Sequence, residues 1–107
     1  MDKRNDLKSV NYYYITDQSI DVSPSEQVRY AIKSGVNMIQ FRGKNLSDKE
    51  MYERAKEIKK IISNKAIFIV NDRIDIALAV DADGVHLGQD DIPPKIAREL
   101  LGDKIIG

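Results

Sequence analysis

Apolar positions along the chain follow two kinds of spacing, and the alternation between them predicts the secondary structure. Short runs of β-branched, aromatic or continuously apolar residues indicate strands. Longer segments in which apolar residues recur every three or four positions indicate amphipathic helices. The predicted strands cover residues 12–16, 37–42, 66–70, 84–87 and 104–107. The helices predicted between them cover residues 24–34, 48–62, 74–80 and 93–101.

Two of these helices begin with a capping box, in which a Ser and a Glu three positions later satisfy each other's backbone amides. Ser23 and Glu26 frame the start of the first helix, where Pro24 takes the first helical position that proline favours. Ser47 and Glu50 frame the start of the second helix. These capping patterns support the predicted helices independently of the apolar spacing.

The order β-α-β-α-β-α-β-α-β predicts an α/β fold with a parallel sheet and right-handed crossovers. Residues 66–70 are all apolar, as in a strand covered on both faces, which favours a parallel sheet. Eight such units form a TIM barrel, so the chain is predicted to be about the first half of a (β/α)8 barrel. We expect a single domain over residues 1–107, with residues 1–10 as a loose N-terminal arm. Because a half-barrel has two open edges, we expect it to dimerise, to fold loosely or to need the other half.

Composition and charge indicate which kinds of partner the protein binds and in which compartment it works. Lys plus Arg equal Asp plus Glu at 17 each, so no basic surface for nucleic acid is expected. The chain has no cysteine, which excludes disulfide frameworks and thiolate metal sites and agrees with a reducing compartment. No apolar run approaches the roughly 20 residues of a membrane span, and the charged N-terminus does not resemble a signal peptide. A cytoplasmic protein without membrane or nucleic-acid partners is expected.

Polar side chains gather where the predicted strands end, at residues 16–17, 40–44, 71–72 and 86–91. Because the carboxyl ends of parallel strands meet at one rim of a sheet, we expect these clusters to form one site. Strand alternation puts Gln40, Arg42 and Lys44 on one side of the second strand. Arg forks onto phosphate oxygens and Lys adds a point charge. The cluster therefore predicts an anion site, with a solvated strand end as the alternative.

Two aspartates at the ends of consecutive strands indicate a metal site. Asp72 follows the third predicted strand and Asp91 follows the fourth. Mg²⁺ usually binds one or two carboxylates together with substrate oxygens and water, and Asn71 can donate to a phosphate beside it. Asp90 is the less favoured ligand. Both Asp72 and Asp91 have an alternative use as the N-cap of the following helix.

His86 is the only histidine in the chain. If its side chain shares the inward face of the strand with Gly84, general acid–base chemistry is open to it; a structural or pocket-lining role is the alternative. Tyr12, Tyr13 and Tyr14 are predicted to belong to the core and the barrel floor rather than to a stacking platform. The sequence has neither a Gly-x-Gly-x-x-Gly loop nor a Walker loop, which disfavours a dinucleotide-binding or P-loop fold.

Three motifs, in this order along the chain, resemble those of the thiamine-phosphate synthase family. They are Gln-Phe-Arg-Gly-Lys at 40–44, Val-Asn-Asp-Arg at 70–73 and Ala-Asp-Gly-Val-His-Leu-Gly-Gln-Asp-Asp-Ile-Pro at 82–93. The resemblance covers residues 12–107. It implies a (β/α)8-barrel transferase that joins hydroxymethylpyrimidine diphosphate to a thiazole phosphate, releases pyrophosphate, forms thiamine phosphate and requires Mg²⁺.

Carried over residue by residue, the resemblance implies a role for each polar position. Gln40, Arg42, Lys44 and Asn71 would bind the pyrimidine diphosphate, Asp72 and Asp91 would hold Mg²⁺, and His86 and Gln89 would line the site. In the dissociative family reaction, pyrophosphate leaves before the thiazole nitrogen attacks. Arg42, Lys44 and the metal would therefore neutralise the leaving group, with His86 as a further candidate catalytic residue.

The chain departs from the family pattern in two places. Gly43 stands where many members carry Glu, and we expect a small effect because this position faces away from the phosphate side. The second half of the barrel, with its grip on the thiazole phosphate, has no counterpart, so a second copy or a C-terminal half-barrel is an expected partner. Two other functions remain open, a non-enzymatic module that binds diphosphate and Mg²⁺, and a thiazole tautomerase. The paired aspartates argue against the tautomerase, because that reaction has no diphosphate leaving group.

Overall fold

Five short strands pair in parallel to form one sheet. They are β1 (Tyr13–Ile15), β2 (Met38–Phe41), β3 (Ile67–Asn71), β4 (Gly84–His86) and β5 (Ile105–Ile106). Their order in the sheet is the order along the chain, β1-β2-β3-β4-β5. The structure, a computed structural model, describes residues 12–88 and 92–107. The predicted N-terminal arm therefore lies outside the described residues.

One helix connects each strand to the next. The helices are α1 (Pro24–Lys33), α2 (Asp48–Ile62), α3 (Ile74–Ala79) and α4 (Pro94–Leu101). This alternation confirms the predicted α/β fold, and the observed elements differ from the predicted ranges by only a few residues at their ends. None of the helices in the described parts of the chain has both the length and the apolar character of a membrane span.

The predicted helix starts are confirmed by their hydrogen bonds. Ser23 Oγ accepts from the amide of Glu26 at 3.2 Å, and Ser47 Oγ accepts from the amide of Glu50 at 3.1 Å. Each bond satisfies one of the amides that a helix leaves unpaired in its first turn. These caps fix where α1 and α2 leave the loops that follow β1 and β2, the same loops that carry the polar clusters.

The hydrophobic core lies between the sheet and the helices. It combines one face of the strands with the inward faces of the helices, and its central side chains are fully buried: Ile39, Phe41, Phe68, Val85, Ala55, Ile58 and Ile62. Each of these side chains except that of Ala55 contributes roughly 1.5–3 kcal/mol through burial. Since Ile39 and Phe41 point into this core, strand alternation turns Gln40 and the residues at the same spacing towards the other face of the sheet.

The prediction that the three tyrosines belong to the core and the barrel floor is confirmed for Tyr13 and Tyr14 and wrong for Tyr12. Tyr12 and Tyr13 are 64% and 47% exposed, whereas Tyr14 packs against the core. Strand alternation puts Tyr14 on the helix side and Tyr13 on the opposite face of the sheet, whereas Tyr12 precedes the first residue of β1. No helix covers that face among the described residues, so Ile15 beside Tyr13 is also 47% exposed.

Candidate active site

A hollow of about 400 Å³ opens on the sheet face opposite the helices, at the carboxyl ends of β2, β3 and β4. We call it the strand-end hollow. It brings together six residues predicted from the sequence: Gln40, Arg42, Lys44, Asn71, Asp72 and His86. They come from three loops or strand ends that are far apart in the chain, so the predicted meeting of polar clusters at one rim is observed for these residues.

Gln40 and Asn71 are the buried polar residues of the strand-end hollow. Gln40 is 3% and Asn71 7% exposed. Gln40 Nε2 donates to the hydroxyl of Tyr13 at 2.6 Å, so the amide is held from below by β1. Among the described residues, no buried side-chain polar atom lacks a hydrogen-bond partner. The hollow is therefore built on an ordered polar floor.

Lys44 and Asp72 form an ion pair at the rim of the strand-end hollow. Lys44 Nζ lies 2.6 Å from Asp72 Oδ2, with the two side chains 48% and 29% exposed. Asp72 does not cap the next helix, because the N-cap of α3 is Arg73, which makes no side-chain capping bond. Its carboxylate instead faces a cation. The backbone of Asp72 has φ +65°, a left-handed conformation that Asp tolerates better than most residues.

The loop after β1 holds the backbone of the 40–44 segment through a series of hydrogen bonds. The amide of Thr16 donates to the carbonyl of Gln40 at 2.9 Å, and the amide of Arg42 donates to Thr16 Oγ1 at 3.0 Å. The amide of Lys44 donates to Gln18 Oε1 at 2.7 Å, and Gln18 Nε2 donates to the carbonyl of Lys44 at 3.2 Å. Side chains thus continue the β1–β2 ladder past the end of the strands.

A buried glutamine on α1 fixes the loop after β1. Gln27 is 4% exposed. Its Oε1 accepts from the hydroxyl of Tyr14 and the amide of Asp17, both at 2.8 Å, and its Nε2 donates to the carbonyls of Asp17 and Val22. Sequence reasoning missed this residue. The available signal was its position four residues before Ala31, on the apolar face of the helix.

Arg73 joins the loop after β3 to the start of α2. Its guanidinium lies 2.7 Å from Asp48 Oδ1 and 2.8 Å from Asp75 Oδ2. The hydrogen bonds that Arg73 donates to Asp75, and then the one it donates to Asp48, raise the pKa of Arg73 above its usual value. The same bonds from Arg73 to Asp75 are the main reason that the pKa of Asp75 is lowered. These pairs brace the backbone directly after Asp72.

His86 ends β4 with an exposed side chain that lines the strand-end hollow. Its backbone carbonyl accepts from the amide of Asp72 at 2.8 Å, which ties the third and fourth strand ends together.

Gln89 and Asp91, the remaining predicted site residues, lie outside the described residues, as does Asp90. Within residues 12–88 and 92–107, no group of three or more His, Cys, Asp or Glu side chains could hold a metal by itself.

Comparison with known proteins decides the family. The model of a family described as thiamine monophosphate synthase matches residues 12–107. The chain belongs to this family. It is 56% identical over 103 residues to the thiamine-phosphate synthase of Methanosarcina barkeri and 50% identical over 102 residues to that of Archaeoglobus fulgidus, covering 94% of this chain in both.

A solved structure shows the same fold. The thiamine phosphate pyrophosphorylase from Pyrococcus furiosus aligns with a TM-score of 0.84 and 45% identity over 89% of this chain. The alignment covers 47% of that protein, and the relatives from M. barkeri and A. fulgidus are covered to 47% and 48%. The chain therefore spans about half the length of the thiamine-phosphate synthases it matches.

Proposed function

We propose that this chain provides the diphosphate-binding and metal-binding half of a thiamine-phosphate synthase. The complete site would condense hydroxymethylpyrimidine diphosphate with a thiazole phosphate, release pyrophosphate and form thiamine phosphate. The observation that carries the proposal is the shared hollow of Gln40, Arg42, Lys44, Asn71 and Asp72 in a member of this family.

Charge and reach support Arg42 and Lys44 as the ligands of the diphosphate. Both side chains are exposed at the strand-end hollow, on the same side of the chain as Gln40. A guanidinium can take two phosphate oxygens at once, and an ammonium adds a mobile charge. As the bond between the pyrimidine's methylene carbon and the diphosphate breaks, negative charge grows on the departing oxygen, and cations already in place stabilise that charge without reorganising. We propose this as the catalytic role of both residues.

The donor set fits Mg²⁺. Asp72 presents a partly exposed carboxylate that already binds a cation, the ammonium of Lys44. Mg²⁺ commonly binds one or two carboxylates and takes its other ligands from phosphate and water. We propose Asp72 as a ligand, with Asp91 as the second, Asn71 and Gln89 as substrate contacts and His86 as a candidate acid or base. When bound, Mg²⁺ would neutralise the charge of the diphosphate.

The rest of the reaction needs a partner half-barrel. The chain spans about half of its relatives, and we propose that a second half, joined to it or separate, binds the thiazole phosphate and closes the barrel. The relatives carry the name synthase, which favours that reaction over tautomerisation. The lack of cysteine in the sequence agrees with a reducing compartment such as the cytoplasm, where we place this activity.

Titration calorimetry with pyrophosphate and Mg²⁺ tests the binding half of the proposal. We expect binding that depends on Mg²⁺, and we expect Asp72→Asn to remove that dependence. Asp103→Asn is the matched control, because Asp103 is an exposed carboxylate between α4 and β5, at the opposite end of the strands. No heat with the unsubstituted chain, or an unchanged Mg²⁺ dependence in Asp72→Asn, contradicts the proposal.

Product formation tests the catalytic half. The chain is mixed with the C-terminal half-barrel of the M. barkeri relative, and thiamine phosphate is measured from the two substrates. We expect product only when both halves are present, and none with Arg42→Ala. A folded complex of the halves that makes no thiamine phosphate would refute the synthase assignment while leaving diphosphate binding as the function.

A further inference from the structure

We propose that Gln18 is a positioning residue that holds Lys44 in place for the diphosphate. The inference rests on the function proposed for Lys44 and adds a residue outside the strand-end hollow. Gln18 belongs to the loop after β1, and its carboxamide meets the backbone of Lys44 from the side. It acts on the ligand only through Lys44.

The contact has the geometry of a peptide group added to the sheet. Gln18 Oε1 accepts from the amide of Lys44 at 2.7 Å, and Gln18 Nε2 donates to the carbonyl of the same residue at 3.2 Å. A carboxamide has one acceptor and two donors in one plane, so it can satisfy both backbone groups of one residue. An ionised Asp in this position could not make both bonds, because a carboxylate only accepts.

The Gln18 contact is the last rung of a regular series. Successive partners from the first strand and its loop satisfy the carbonyl of Gln40, the amide of Arg42 and the amide of Lys44. The rungs are two residues apart, which is the repeat of an extended chain. Because alternate residues share a face, holding the backbone extended through Lys44 keeps the side chains of Arg42 and Lys44 on the side of Gln40.

A purely structural role would predict a different pattern of effects. Gln18 is exposed and contributes no side chain to the hydrophobic core. Its bonds reach one residue only, so its loss should alter the freedom of Lys44 more than the stability of the fold. The ammonium of Lys44 lies beside Asp72. A looser backbone at Lys44 would let this ammonium occupy more positions and spend less time in the one that binds diphosphate. Preorganised charge binds better because less order must be gained on binding.

Two measurements on the 107-residue chain test the inference. The first is the hydrogen-exchange rate of the Lys44 amide, which needs no ligand. Loss of one net hydrogen bond corresponds to about a fivefold change in an equilibrium, so Gln18→Ala should speed this exchange by about fivefold. Gln18→Glu keeps the acceptor and should retain the protection. Ser19→Ala is the matched control, because Ser19 Oγ bonds to Asp17 in the same loop and not to Lys44.

The second measurement is the affinity for pyrophosphate in the presence of Mg²⁺. We expect Gln18→Ala to weaken it by about threefold to tenfold, the range of a net hydrogen bond or somewhat more, and Ser19→Ala to leave it unchanged. In a Lys44→Met background, Gln18→Ala should have no further effect, because the coupling passes through Lys44. The midpoint of urea unfolding should move little in Gln18→Ala.

The outcomes separate the two proposals. Pyrophosphate binding that is present but equal in Gln18→Ala and the unsubstituted chain overturns the positioning role. So does an additive effect in the Lys44→Met background, or an unchanged exchange rate of the Lys44 amide. Absence of pyrophosphate binding by the unsubstituted chain overturns the proposed function instead. If the Lys44 amide then still exchanges faster in Gln18→Ala, Gln18 orders the loop but positions no ligand group.

Discussion

Lys44 Nζ lies 2.6 Å from Asp72 Oδ2, although the two residues are 28 positions apart in the chain. The pair joins the loop after β2 to the loop after β3. The carboxylate of Asp72, which we propose as a metal ligand, is therefore already paired with the ammonium of Lys44. Lysine and metal should therefore compete for Asp72, and binding of diphosphate should resolve the competition by giving Lys44 a new anionic partner.

Lys44→Met should raise the affinity for a divalent cation in the absence of diphosphate. The increase should be at most about fivefold, because an exposed ion pair contributes no more than about 1 kcal/mol. The same substitution should weaken pyrophosphate binding, since a phosphate ligand is lost. Titration with Mg²⁺ alone, or with Mn²⁺ followed by electron paramagnetic resonance, measures the first effect.

Lys60→Met is the control for this prediction, because Lys60 is exposed in the last turn of α2, at the other end of the sheet. It should change neither affinity. An equal or lower cation affinity in Lys44→Met would show that the ammonium does not compete for Asp72.

Gln27→Ala should destabilise the chain by about 1–3 kcal/mol, the cost of leaving buried polar groups without partners. The substitution removes four hydrogen bonds that hold Tyr14, Asp17 and Val22. Urea denaturation followed by circular dichroism measures the loss. Arg29→Ala, an exposed position on the same helix, should stay within about 0.5 kcal/mol of the unsubstituted chain. Similar midpoints for the two variants would contradict the role given to Gln27.

Gly84→Ala and Gly43→Ala should differ in their cost. A Cβ at Gly84 would overlap the backbone carbonyl of Ile105 in the neighbouring strand, and backbone cannot move without breaking the ladder. A Cβ at Gly43 would meet Met51 Sδ at 2.6 Å and Leu46 Cδ1 at 3.0 Å, the outer atoms of flexible side chains.

We expect a loss of about 1–3 kcal/mol for Gly84→Ala, the usual cost of overpacking. For Gly43→Ala we expect less than about 1 kcal/mol, because Met adapts readily to added volume. Thermal or urea unfolding distinguishes them. A larger cost at Gly43 than at Gly84 would show that the packing around Met51 is rigid, against this argument.

The ion pair of Asp75 with Arg73 should make stability depend on pH in the acid range. Because the pKa of Asp75 is lowered from 3.8 in the folded chain, its contribution is complete above that value. The contribution is lost as the pH falls through the lower folded value. Asp75→Asn should therefore be less stable than the unsubstituted chain at pH 6, and the gap should begin to shrink below about pH 4 and close only below the lowered folded pKa.

Urea unfolding at a series of pH values measures this gap. Added salt should reduce it, because the carboxylate is largely exposed and an exposed pair is screened. Asp103→Asn is a suitable control, since no ion pair in the described part of the chain involves Asp103. A gap that stays constant from pH 6 to pH 3 would contradict the assigned pKa direction.

Periodicity was sufficient to predict the face of the sheet on which the candidate site lies. The alternation of Ile39 and Phe41 with Gln40 and Arg42 determines which side chains enter the core, since every second residue of a strand faces the same way. The order of strands and helices likewise followed from spacing and caps, which are local properties. For that reason the sequence alone predicts the convergence of the loops after β2 and β3.

Contacts between loops could not be predicted in this way. Gln18 and Gln27 act through hydrogen bonds to backbone groups of other segments, and such bonds depend on loop conformations that no repeat encodes. The exposure of Tyr12 was missed because its aromatic character suggests burial, whereas it lies just before the first residue of β1.

The left-handed backbone at Asp72, φ +65°, limits what evolution or mutagenesis can place there. Residues with a Cβ pay a steric penalty in this region, and only Gly, Asn and Asp occupy it readily. A library randomised at this codon and screened only for correct folding should therefore return mainly these three amino acids. Of the three, only Asp carries a charge, so a single further screen for cation dependence would reduce the surviving set to one.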